Sequence, residues 1–88
     1  MQALPPSCPK LPDLPPIFWT EVAKEIAHWQ ELFANAAPGE ASPDEMRKLC
    51  IARIKTRLKR IHARKNAGRA LFEMSHYVAC LTVIESRN

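Results

Sequence analysis

Apolar and polar positions along this chain of 88 residues follow four successive patterns. Through the N-terminal "PPSCPKLPDLPP" the period is three. Pro6, Pro9, Pro12 and Pro15 fall on one line, Cys8, Leu11, Leu14 and Ile17 on a second, wholly apolar line, and Ser7, Lys10 and Asp13 on a third, polar one. Proline fixes φ near the polyproline II value, and that helix has three residues per turn, so each line is a face. The sorting predicts a strap that lies against helices, ordered at least from Leu11 onward.

Residues 17–36 switch to a helical period. Phe18, Val22, Ile26, Trp29 and Phe33 make one stripe, with Glu21, Glu25 and Glu31 on other faces. Pro16 suits the first helical position, where a missing N–H costs nothing. Asn35 and the Pro38-Gly39 pair end the segment. A second start follows in "ASPDEM": Ser42 reads as N-cap, Pro43 as first helical residue, and Glu45 stands at the capping-box position. Ile51, Ile54, Leu58 and Ile61 then make a heptad-like seam. Lys48, Lys55 and Lys59 flank it on one side, Arg53, Arg57, Arg60 and Arg64 on the other.

Beyond "KNAG", residues 65–68, the pattern changes once more. Leu71, Phe72, Met74, Tyr77, Val78, Leu81 and Ile84 surround most of the circumference, and a helix apolar nearly all round must be buried. Either Gly68 caps one helix and a third begins near residue 69, or one helix runs on, since an internal glycine costs only ~1 kcal/mol. The second course is the expectation: an all-α helical hairpin, with a short helix over 17–36 and a long one over 43–85. At ~1.5 Å per residue these would be ~30 Å and ~65 Å long. The first cannot cover the second. The apolar C-terminal segment then calls for a second chain, a homodimer pairing through Leu71, Met74, Tyr77, Val78 and Leu81 into a helical bundle. A monomeric three-helix bundle broken at Gly68 is the alternative. Residues 1–16 are a proline-rich segment and 17–88 a single helical domain.

Charge sharpens this picture. Residues 1–45 carry two basic and seven acidic side chains, whereas 46–72 carry ten basic and none acidic. Three carboxylates on the first helix cannot balance ten cations, so the second helix keeps a large positive surplus, suited to an acidic protein surface or to phosphates. Arg53, Arg57, Lys59, Arg60 and Arg64 are the candidate partner-binding residues on that face. Leu11, Leu14, Ile17 and Trp19 are candidates at the N-terminus, either as a partner contact or as the strap closing onto the first helix. The PxxP spacings of the prolines also fit a proline-reading partner, without the flanking basic residue such ligands place beside the core.

Other chemistry finds little support. His76 and Cys80 are an i,i+4 pair of zinc-ligand types, but two ligands do not make a site. They would also serve as a nucleophile–base pair, yet nothing supplies an oxyanion hole or a glycine-rich loop. No cofactor, no small-molecule substrate and no enzymatic activity are expected. Cys8, Cys50 and Cys80 are an odd, widely spaced set, which points to a reducing, cytoplasmic setting rather than a disulfide framework. Cys50 and Cys80 would lie ~45 Å apart along one helix and can meet only if the chain folds back. No secretory leader is visible, and the longest apolar run near the C-terminus, "YVACL", is far too short for a bilayer.

The layout of leader, short helix and long helix resembles that of small helical bacterial regulators such as the TraM-type quorum-sensing antiactivators. The resemblance is one of architecture and assigns no residue a role. With the charge pattern it leads to the expectation of a non-enzymatic, dimeric regulator that binds and modulates a partner protein. DNA or RNA binding by the basic helix, residues 47–69, is the competing expectation.

Overall fold

The computed structural model describes residues 7–35 and 42–86. The chain is all-α, with α1 over Pro16–Ala34, α2 over Pro43–Ala63 and α3 over Ala67–Ser86. Pro16 opens α1, following Pro15 in extended conformation at φ −63°, ψ 153°. Asn35 closes it, its N–H reaching Glu31 O at 3.2 Å. The Pro38-Gly39 pair lies outside the described residues. Pro43 opens α2 as expected, but the capping box does not form. The Ser42 side chain makes no cap hydrogen bond, and Asp44 turns instead to Arg47 at 2.8 Å.

The long helix expected over 43–85 is two helices. Arg64 and Asn66 both adopt positive φ, 57° and 50°. The N–H groups of Arg64 and Lys65 bond back to the carbonyls of Ile61 and Arg60 at 3.1 and 3.0 Å. That double closure is a Schellman motif with an arginine in the left-handed position that glycine usually takes. Asn66, a residue that tolerates this region, then starts α3, its carbonyl accepting from Ala70 N at 2.9 Å. Gly68 is not the break. It sits in the first turn of α3 with nothing within 4 Å of where a Cβ would be.

The turn sends α3 back along α2. Arg47 meets Glu85 and Arg57 meets Glu73, so the two helices are antiparallel. α3 is also the helix on which α1 packs, whereas α1 and α2 do not pack on each other. The longest dimension is 40 Å, too short for a ~65 Å helix.

Folding back also answers what covers the apolar α3. Cys80, Val83, Ala79, Ser75, Val78, Leu81 and Ile84 are all buried, and at 100° per residue they point to every side of the helix. Phe18 and Val22 of α1 and Cys50 and Ile54 of α2 share their core, with Cys8, Leu11 and Leu14 of the N-terminal strap packed against it. The residues expected to pair two chains are therefore spent within one. Met74, Val78 and Leu81 are no more than 1% exposed, and Leu71 and Tyr77 pack on the same cluster. The expected dimer rests on two helices being unable to enclose a core. A third helix and the strap remove that requirement.

Candidate functional site

Burial divides α2 into two halves. Cys50, Ile54 and Arg57 face inward, flanked by half-buried Met46, Arg47, Ile51, Leu58 and Ile61. The expected seam is thus the packed side, and its polar members are clamped by α3. Arg57, expected to meet a partner, is only 8% exposed. Its Nε stands 3.4 Å from Glu73 Oε1, an ionic contact without hydrogen-bond geometry. Its guanidinium lies 5.2 Å from the Tyr77 ring centroid, within cation–π range. Glu73 also holds Arg69 at 3.4 Å. Arg57 fastens α2 to α3 and, unlike the other basic residues expected to meet a partner, offers little of its side chain to one.

The outward half of α2 is different. Lys48, Arg53, Lys55, Lys59, Arg60 and Arg64 are exposed, and among the described residues none of them enters an ion pair. The helical period places Lys48, Lys55 and Lys59 in one row and Arg53 and Arg60 in another, about 120° apart around the axis. Between the rows lie Ala52, Thr56 and the half-exposed Leu49. From Lys48 to Arg64 the face is about 24 Å long at 1.5 Å per residue. No neighbouring helix competes for it, because α2 packs on α3 alone.

The N-terminal candidates separate. Leu11 and Leu14 pack on the core. Trp19 is half-buried against that core, its ring edge-on to Phe18 at 4.8 Å. Ile17 is 65% exposed. The three-residue period stops at Pro16, where the helix begins, and Phe18 takes the inward place instead. Ser7 donates a hydrogen bond to Glu85, the same carboxylate that meets Arg47 at 3.2 Å. One acidic side chain therefore joins strap, α2 and α3. Neither Glu73 nor Glu85 stands out in sequence, since each acts across a helix pair whose register only the fold defines.

His76 and Cys80 have separate partners. His76 Nδ1 lies 3.0 Å from Glu25 Oε2 on α1, and its ring is edge-on to the exposed Phe72 at 4.7 Å. Cys80 packs in the same buried cluster as Cys50. The interaction with Cys50, together with burial, pushes the Cys80 thiol up, and the interaction with Cys80 draws the Cys50 thiol down against burial, which by itself raises it. Burial alone pushes the Cys8 thiol up to about 11. Among the described residues no three His, Cys, Asp or Glu side chains gather as a metal site. No described helix is long and apolar enough to cross a membrane.

No known protein family, no curated protein and no solved structure matches this chain.

Proposed function

We propose that this protein is a non-enzymatic regulator that attaches to an acidic surface of a partner protein through the outward face of α2. The observation that carries the reading is the row of exposed cations without ion pairs among the described residues, on a face of α2 that neither α1 nor α3 covers. Complementary charge speeds encounter and selects the partner. Exposed Leu49 supplies an apolar contact within the same face. The strap, polyproline-like in its spacing, is a structural element in this reading and not a ligand for a proline-reading domain. Three free thiols fit a reducing, cytoplasmic compartment. Arg53→Glu, Lys59→Glu and Arg60→Glu together should leave the thermal midpoint nearly unchanged and remove the partner that co-purifies with the natural chain from its host. Co-purification of the same partner with the triple variant would take the α2 face out of the account.

A second reading, duplex DNA, is favoured by the two cationic rows with Ala52, Thr56 and Leu49 between them. A helix of about 10–12 Å diameter fits a major groove about 12 Å wide, with a cationic row toward each phosphate strand. A gel-shift titration separates the two readings. Binding to DNA falls linearly in log affinity against log salt, and no shift at low salt with micromolar protein leaves the acidic protein partner in place.

A further inference from the structure

The fold brings together two cysteines that lie thirty residues apart in sequence. The Arg57–Glu73 contact fixes the register of α2 against α3. Cys50 is seven residues before Arg57, and Cys80 is seven residues after Glu73. In an antiparallel pair those are facing positions, two turns along from the ion pair. Both side chains are in the core, 3% and 2% exposed, and they belong to one packed cluster. A disulfide needs Cα atoms within about 7 Å. Helices packed with axes 8–10 Å apart, each with Cα atoms about 2.3 Å off axis, bring facing positions to about 3.5–5.5 Å.

We propose that Cys50 and Cys80 form a dithiol site that a hydroperoxide oxidises to an intrachain disulfide tying α2 to α3. Cys50 is the attacking sulfur, because the neighbouring Cys80 thiol favours its thiolate. The thiolate attacks one peroxide oxygen, the O–O bond breaks, and Cys50 becomes a sulfenic acid while the other oxygen leaves as hydroxide or alkoxide and takes up a proton. The Cys80 sulfur then attacks the sulfenic sulfur. Its own proton goes to the departing hydroxide, which leaves as water, and the S–S bond forms. Two thiols and one hydroperoxide give one disulfide, one alcohol or water, and one further water. Two electrons pass from the sulfurs to the peroxide oxygens. Access comes by lifting the strap, which packs on the same cluster through Cys8, Leu11 and Leu14. Burial holds the Cys8 thiol protonated.

The test uses the full chain carrying Cys8→Ser, which leaves both core thiols in place, treated with a slight excess of hydrogen peroxide. Intact mass should fall by two hydrogens per chain, and a digest should yield the Cys50 and Cys80 peptides joined. Closing a loop of thirty residues should raise the thermal midpoint by roughly 10 °C or more, and a reductant should reverse the rise. Adding Cys80→Ala should abolish the link and slow the oxidation of Cys50, which loses the neighbour that favours its thiolate. The proposal is overturned if both thiols stay free, if the link joins two chains, or if Cys50 proceeds to sulfinic acid with Cys80 still a thiol. Circular dichroism of the untreated chains confirms that each variant is folded before treatment.

Discussion

Arg64 holds a backbone conformation that its side chain does not favour. An L-residue in the left-handed region gives up roughly 1 kcal/mol relative to glycine, and φ is 57° there. Arg64→Gly should therefore raise stability by about 1 kcal/mol in urea unfolding, with an unchanged slope. Gly68→Ala should add a similar amount, because Gly68 lies inside a helix with open space around it. If Gly68 were the hinge, the alanine would instead destabilise. The stop was only half legible. "KNAG" announces a break by its asparagine and glycine together, and glycine is the commoner left-handed residue. The chain uses the asparagine and an arginine, because the break two residues earlier lets Ala70 and Met74 of α3 turn into the core.

The strap is the element most clearly written in the sequence. Its three-residue period sorts Cys8, Leu11 and Leu14 to one side, and those three side chains pack on the core. Each is partly buried, so each contributes about half of the 1.5–3 kcal/mol that full burial of such a side chain gives. Removing residues 1–14 should lower stability by about 2–4 kcal/mol in chemical denaturation and expose α3 to an apolar dye. A truncated chain with the same midpoint would make the strap an ornament. The face of α2 was legible as charge but not as geometry. Arg57 and its exposed neighbours are indistinguishable as letters, and only the pairing with Glu73 and Tyr77 draws it inward.

At the scale of the molecule, the sequence showed that α3 must be covered and left open by what. The composition demanded burial, but the register of α2 on α3 depends on contacts between positions far apart in the chain, such as Arg47 with Glu85. Since one chain now buries Met74, Val78 and Leu81, light scattering at high concentration should give the mass of a monomer. A stable dimer mass would mean that another surface, for instance around exposed Phe72, is in use. The absence of packing between α1 and α2 has a further consequence, for the order of assembly. The α2–α3 pair is joined by a short turn and closes with little loss of loop entropy, while the strap and α1 dock onto it from afar. Under native conditions the amides of α1 should then exchange with solvent faster than those of α3, through openings that release α1 and leave the hairpin standing.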